Sequence, residues 1–218
     1  MSAPIELQVQ PPWAEEERAR ADHYALVARL FQSAPDAALL AALAQAGRTL
    51  GGSANQDGEG GEDALPRAWA ALGAASALGE AAVRDEFDAL FISVGKPAVM
   101  LNASWYLTGF LQEEPLADLR DDLARLGLGR RAGVSETEDH VAALAEVMRH
   151  LVVTGPDEAG LARQQAFFEQ HLSPWYARLA DALERAEGAH FYAKASGLLR
   201  AFLDIERAAF DMMNTDAR

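Results

Sequence analysis

The strongest constraint on this chain is the spacing of its apolar residues, which follows the period of an α-helix in nearly every segment. Strictly alternating apolar and polar runs, which mark half-buried strands, are missing from the sequence. Over residues 14–32, for example, Tyr24, Val27 and Phe31 share one side of a predicted helix. The pattern therefore predicts an all-α fold.

Capping and turn residues divide the rest of the chain into further helices. One follows Ser33, Pro35 and Asp36 and ends near Gly47. Residues 92–104 are predicted to be irregular. The other predicted helices span residues 64–78, 80–91, 115–126, 135–153, 158–171, 174–187 and 190–213. We expect about eight to ten helices in a single compact multi-helix bundle, a single domain over residues 1–218.

A flexible, glycine-rich segment is predicted at about residues 51–63. Its glycines lie among serine, asparagine, glutamine and acidic residues, which offer little apolar surface to bury. A phosphate-binding loop would need a preceding strand and a Gly-Lys-Ser/Thr sequence, and the sequence has neither here. We therefore interpret the segment as a linker or loop.

Charge and composition narrow the possible partners. The 218 residues include 19 Lys+Arg and 33 Asp+Glu, for a formal net charge of −14. Such a surface repels nucleic acid and attracts basic segments. The chain has no cysteine, which excludes disulfides and thiolate sites. It has no apolar run approaching the ~20 residues that span a bilayer, and residues 1–13 do not resemble a secretory signal, so we expect a cytoplasmic protein without stable membrane insertion.

No residue pattern indicates catalysis, a cofactor or a metal. The one Glu-x-x-His sequence, Glu187 with His190, contains a glycine, and Glu146 with His150 has no second pair to complete a helical di-metal site. A Gly-x-Ser-x-Gly elbow is missing from the sequence. We therefore expect no catalytic, cofactor or metal residues and no enzyme activity.

Two short segments are unusual for a simple helical bundle. In the first, the helix predicted over residues 135–153 starts with a capping box of Ser135 and Glu138, which puts Asp139 and His140 in its first turn. The second is LNASWYLTGF at residues 101–110, a loop-to-helix junction with Asn102 as a possible cap. Its aromatic residues pack in the core or act as anchors in a peptide-binding groove, and both interpretations stay open.

Four segments, in order, resemble the TorD/DmsD family of redox-enzyme maturation chaperones, to which the NarJ proteins are related. Their sequences are RADHYALVARLF at 20–31, DEFDALF at 85–91, EDH at 138–140, and FFEQHLSPW at 167–175 followed by Phe191 and Tyr192. The Glu-Asp-His sequence is the most specific of them. The chain differs from the family pattern at Thr137, where proline is usual, and after Phe91, where ISVGKP at 92–97 stands in place of the usual Gly-Pro.

This resemblance implies a TorD-like helical bundle that acts as a chaperone. It implies binding of the twin-arginine leader and the apo catalytic subunit of a molybdopterin-dependent oxidoreductase, which is held until its cofactor is inserted. Because such a leader joins two arginines to an apolar stretch, its receptor needs carboxylates beside an apolar groove. The implied client-binding residues are Asp139, His140, Glu138, Trp105, Tyr106 and Phe91.

Mutation of this region should affect binding more than stability: Asp139→Asn and His140→Ala are expected to weaken leader binding while barely changing stability.

Trp175, Tyr192 and His171 also match the family, but core packing explains them equally well. Two other functions stay open, a helical scaffold without an export client and a nucleotide hydrolase. The client and the choice between monomer and homodimer are not determined by the sequence.

Overall fold

A computed structural model describes residues 15–53, 64–92, 95–130, 133 and 136–216. Within these ranges the chain forms ten α-helices and no strand, with short 3-10 helices at Gly51–Ser53 and Ser76–Leu78, so the predicted all-α class is confirmed. The α-helices are α1 Glu15–Gln32, α2 Ala37–Leu50, α3 Ala64–Ala75, α4 Glu80–Phe91, α5 Ala103–Thr108, α6 Glu114–Arg125, α7 Val141–Thr154, α8 Glu158–His171, α9 Tyr176–Arg185 and α10 Phe191–Asp216.

The helices pack through the apolar faces that their periodicity predicts. α1 buries Tyr24, Val27 and Phe31 and packs most extensively against α7. α2 packs against α3, while α10 contacts both α3 and α9. Burial of a large apolar side chain stabilises a fold by about 1.5–3 kcal/mol. The shared core therefore holds helices together that lie far apart in the sequence.

A buried ionic cluster joins the first and last helices. The Arg20 Nε and the Tyr24 hydroxyl both donate to the Glu206 carboxylate, over 2.7 and 2.9 Å. Burial raises the pKa of Tyr24 well above its usual value, and the neighbouring Glu206 charge raises it further, so the phenol remains a donor. Arg20 and Tyr24 belong to the opening segment that resembles the chaperone family, and the structure gives them this role in packing.

A second buried carboxylate connects α4 with α10. Glu86 accepts the backbone N–H groups of His190, Phe191 and Tyr192, over 2.9, 3.0 and 2.7 Å. The first N–H groups of a helix have no partner within the helix, so Glu86 serves as an N-terminal cap supplied by another element. This contact fixes the start of α10, the longest of the described helices, against α4.

The start of α7 differs most from the sequence prediction. The prediction that α7 begins at Ser135 is wrong, because the helix begins at Val141 and His140 is its N-cap residue. Asp139 and His140 therefore precede the first turn, and Glu138 is not part of a capping box. Ser135 itself lies outside the described residues, as do residues 54–63 of the segment predicted to be flexible.

The segment predicted to be irregular ends in a short helix, α5, which starts at Ala103 and has Asn102 at its N-cap position. The Asn102 side chain makes no capping hydrogen bond. Instead, the Asp139 carboxylate accepts the Ser104 N–H over 3.0 Å. The cap thus comes from a residue 35 positions later in the chain, beyond the reach of local sequence analysis.

Candidate functional site

An open cavity of about 690 Å³ lies between α1, α4, α5 and the start of α7, and we call it the groove. Its lining is mainly apolar and aromatic, as expected for a surface that binds an apolar segment. The groove is lined by Phe31, Gln32, Phe87, Phe91, Ile92, residues 95–97 and 99–102, Trp105, Phe110, Leu111, Glu136 and His140.

Backbone hydrogen bonds hold the two sides of the groove together near α5 and α7. Asn102 and His140 form an isolated antiparallel bridge. On either side of it, the Ala103 N–H donates to the Asp139 carbonyl over 3.0 Å and the Val141 N–H donates to the Leu101 carbonyl over 2.8 Å. The starts of α5 and α7 are consequently fixed to each other, which brings Trp105 and His140 into the same groove.

Asp139 is buried beneath this junction, with 1% of its surface exposed. Its carboxylate accepts hydrogen bonds from the Ser104 N–H and hydroxyl, the Thr137 hydroxyl and the Asn102 amide. Burial alone would raise the pKa of Asp139, but these hydrogen bonds outweigh it and hold the pKa below the usual value. Asp139 is thus an ionised group satisfied inside the protein, and it does not line the groove.

His140 lines the groove and caps α7. Its Nδ1 accepts the Ala142 N–H over 3.2 Å, which requires Nδ1 to be unprotonated. Burial lowers the pKa of His140, and the opposing charges of Glu136 and Asp139 do not fully offset that effect. The ring is therefore neutral near pH 7 with its proton on Nε2, a donor suited to a peptide carbonyl.

Glu138 belongs to an ion pair beside the groove. Its carboxylate accepts two hydrogen bonds from Arg120, at 2.9 and 3.1 Å, and Arg130 lies 3.8 Å away. Burial raises the pKa of Glu138, but the hydrogen bonds and both arginines lower it more, so the carboxyl is ionised. Glu138 is therefore paired within the chain and does not line the groove.

The predicted aromatic anchors divide into two sets. Phe91 and the half-buried Trp105 line the groove. Tyr106 points elsewhere: its hydroxyl donates to the Met100 carbonyl over 2.8 Å, and its ring stacks on Trp175 at 5.5 Å between centroids. The structure thus brings together Phe91, Trp105 and His140, and it gives Tyr106 a role in core packing.

The groove also contains residues that the sequence analysis missed. Ile92 and Phe110 are large apolar residues with 62% and 67% of their surface exposed. Lys96 lies over the Trp105 ring, with its Nζ 4.0 Å from the ring centroid. Phe110 lies in the aromatic segment at residues 101–110 that the sequence analysis singled out, and Ile92 and Lys96 lie where the chain departs from the family pattern, but none of the three was named as a binding residue.

A second cavity of about 710 Å³ adjoins the groove, since Gln32 and Glu136 line both. Its lining is more polar and includes the carboxylates of Asp36 and Glu146, each with an arginine close by: Arg29 is 3.2 Å from Asp36, and Arg149 is 2.9 Å from Glu146. We call this cavity the polar extension. The two cavities together offer an apolar surface that continues into a charged one.

Neither a metal-binding cluster nor a membrane-spanning helix is found in the described part of the chain. No group of three or more His, Cys, Asp or Glu side chains there is arranged to hold a metal ion. None of the helices described is long and apolar enough to cross a membrane. His171 pairs with Asp122 over 2.7 Å, and the Trp175 indole N–H donates to the His171 carbonyl over 2.7 Å, so both residues contribute to packing.

Comparison with known families identifies the chain. Residues 54–181, more than half of its length, match the family described as nitrate reductase delta subunit. The chain belongs to this family. The match includes every residue that lines the groove except Phe31 and Gln32 of α1.

The chain is also similar to proteins named chaperone protein TorD, and this similarity confirms the resemblance found in the sequence. The chain is 28% identical to the chaperone protein TorD of Vibrio atlanticus and 27% identical to the chaperone protein TorD of Aliivibrio fischeri, each over 130 residues. The chaperone protein TorD of Photobacterium profundum is 26% identical over 132 residues. The first two alignments cover 56% of this chain and 60% of each relative, so the chain spans less than two thirds of their length.

Proposed function

We propose that this chain is a molybdoenzyme maturation chaperone. It binds the twin-arginine leader and the apo catalytic subunit of a molybdopterin-dependent oxidoreductase, and it holds that client in the cytoplasm until cofactor insertion and export. The proposal assigns this activity to a single domain over residues 1–218, acting as a monomer or homodimer. The observation that carries it is the groove, because it combines Phe91, Trp105 and His140 with exposed apolar surface.

The groove fits the apolar part of such a leader. Ile92 and Phe110 expose most of their surface in it, and large exposed apolar residues that adjoin one another indicate a binding surface. A bound apolar segment would cover these side chains, with a gain of about 25 cal/mol for each Å² removed from water. The neutral His140 supplies a hydrogen-bond donor to the same surface.

The charged part of the leader fits the polar extension. Glu136 lines both cavities, and Asp36 and Glu146 line the extension, where a leader arginine would share each carboxylate with an arginine of this chain. Arginine forms its strongest hydrogen bonds with carboxylates, through two parallel N–H donors. The net charge of −14 adds a long-range attraction for a basic peptide. A leader would thus bind with its apolar stretch in the groove and its arginines near Glu136, where the groove meets the extension.

A direct test is titration of the purified protein with a fluorescent twin-arginine leader, followed by anisotropy. Ile92→Ser should weaken binding about tenfold, because ~1.4 kcal/mol of apolar burial is lost. Ile205→Ser is the matched control, since Ile205 is also exposed but lies on α10 outside the groove. Glu136→Gln should weaken binding more than Glu184→Gln, because Glu184 is an exposed residue of α9 that lines neither the groove nor the extension.

The proposal also requires the leader's arginines to matter. A leader with both arginines replaced by glutamine should bind more weakly than the unaltered peptide. The apo catalytic subunit should be retained on immobilised protein, and the cofactor-loaded subunit should not. Equal binding of both leaders, or equal losses in the Ile92 and Ile205 variants, would contradict the proposed function.

A further inference from the structure

We propose that the face of the Trp105 ring is an arginine-binding subsite of the groove, which Lys96 of the same chain occupies when no client is bound. The inference rests on the proposed function and deepens it, because it names the surface that binds one arginine of the leader. It also gives Lys96 a role as an internal competitor of that arginine.

The geometry of the pair supports this role. The Lys96 Nζ lies 4.0 Å from the centroid of the Trp105 ring, well within the ~6 Å over which a cation is attracted to an aromatic face. Trp105 is half-buried on α5, whose start is held by Asp139, so the ring has a fixed support. Lys96 is exposed and lies outside the helices, between α4 and α5. One partner is therefore held in place, and the other is an exposed lysine outside the helices.

Arginine is the chemistry best suited to take the place of Lys96. A guanidinium is planar and less strongly hydrated than an ammonium, so it stacks on an indole ring at a lower cost in lost hydration. Glu136 lines the same groove and adds a carboxylate to the surroundings of an incoming cation. Exchange of one cation for another keeps the ring face covered, and the displaced Lys96 side chain returns to water.

Opposite substitutions at Lys96 test the inference. Lys96→Gln removes the competitor and should tighten binding of a twin-arginine leader by about two- to fivefold, the range of an exposed cation–π contact. Lys96→Arg installs a stronger competitor and should weaken binding. Neither variant should change affinity for the leader with both arginines replaced by glutamine. In Trp105→Leu, the additional change Lys96→Gln should have no effect, because the subsite is gone.

A matched control separates this effect from overall charge. The chain has two lysines, Lys96 and Lys194, and Lys194 is exposed on α10 outside the groove. Lys194→Gln changes the net charge by the same amount, so it reproduces any change in long-range attraction. Its leader affinity should stay within the error of the wild-type value. Thermal melts of all variants check that the fold is retained.

The outcomes are distinguishable. If wild-type protein binds the leader through its arginines, but Lys96→Gln weakens binding or has no more effect than Lys194→Gln, the inference is wrong and the proposed function stands. Opposite effects of the two Lys96 variants that depend on the leader's arginines and on Trp105 would support it. If the wild-type protein shows no arginine-dependent binding, both the inference and the proposed function are wrong.

Discussion

Asp139 and His140 are neighbours in the sequence, but their side chains serve different elements. The Asp139 carboxylate accepts hydrogen bonds from the start of α5, whereas the His140 ring caps α7 and lines the groove. Asp139 therefore positions α5 beside the groove, and His140 contributes to the groove surface. Thr137, which stands where the family pattern usually has proline, adds a hydroxyl donor to Asp139.

We expect Asp139→Asn to lower the free energy of unfolding by about 1.5–3 kcal/mol, the range for a hydrogen bond to a charged group. The variant replaces one of the two acceptor oxygens with an N–H₂ group, which cannot accept the hydrogen bonds that Asn102 or Ser104 donates in the wild-type protein. This differs from the sequence-based expectation of little effect on stability. Leader binding should also weaken, through displacement of α5 and Trp105. Urea unfolding measures the first effect, and peptide titration of the folded variant measures the second.

Glu138→Gln is the matched control for this substitution. Glu138 pairs with Arg120, whose side chain is 51% exposed, and ion pairs of this kind contribute about 0–1 kcal/mol. The Glu138 variant should therefore unfold at nearly the wild-type urea concentration. An Asp139→Asn protein as stable as Glu138→Gln would argue against the positioning role.

The sequence predicted which residues of this region are unusual, but not how they divide their roles. The Glu-Asp-His pattern directed attention to residues 138–140. The burial of Asp139 depends on Asn102 and Ser104, which lie 37 and 35 residues earlier in the chain. A contact of that range has no local signature, because it depends on how α5 packs against α7.

At the scale of helices, periodicity predicted the long amphipathic elements well. The α8 helix, Glu158–His171, has the bounds predicted from the sequence. The exceptions are α5, a six-residue helix for which only the possible cap Asn102 was predicted, and the start of α7. In both, the cap that decides the boundary is not the one the local sequence favours: α5 uses Asp139, and α7 uses the His140 ring.

The end of α2 shows a different kind of failure. Gly47 was predicted to end this helix, but α2 continues to Leu50. The reason for glycine here is the close approach of α3, since a Cβ on Gly47 would lie 2.7 Å from the Gly73 Cα. A glycine within a helical pattern thus marks helix contact as well as helix termination.

The cap that joins α4 to α10 yields a prediction about this pair of helices. Glu86→Gln should lower the free energy of unfolding by about 1.5–3 kcal/mol, because three N–H donors at the start of α10 now share a charged carboxylate. In this variant, hydrogen exchange in the first turn of α10 should become faster than in the wild-type protein, while exchange in the middle of α10 should change less. Urea unfolding and exchange measurements on the same variant check both effects.

Asp85→Asn provides the comparison, since Asp85 is an exposed residue of the same helix. It should change stability by less than about 0.5 kcal/mol, as is usual for surface substitutions. Equal destabilisation by the two variants would mean that loss of negative charge on α4, and not loss of the cap, is responsible.

At the scale of the whole molecule, the groove depends on the assembly of the bundle. Phe31 and Gln32 come from α1, Phe91 from α4, Trp105 from α5 and His140 from the start of α7. The helical period predicted the elements but not which of them meet at one surface, because that arrangement depends on contacts between distant segments. The family resemblance supplied the candidate residues, and the packing selects three of the six for the groove.

The charge of the whole molecule leads to a prediction about binding kinetics. With a net charge of −14, the association rate constant for a twin-arginine leader should fall steeply as salt is added. The Debye length shrinks from ~10 Å at 0.1 M to ~3 Å at 1 M salt, which removes long-range attraction. The dissociation rate constant should change less, because apolar contacts in the groove are not screened. Stopped-flow fluorescence over this salt range measures both constants.

The leader with both arginines replaced by glutamine is the control for this experiment. It lacks the charges that the protein attracts, so its association rate should depend only weakly on salt. At 1 M salt the unaltered leader should retain measurable affinity, while Ile92→Ser should reduce that residual affinity and Glu136→Gln should hardly affect it. This separation follows from the two adjoining cavities, one mainly apolar and one charged. An association rate that is the same at all salt concentrations would exclude a contribution of the acidic surface to client capture.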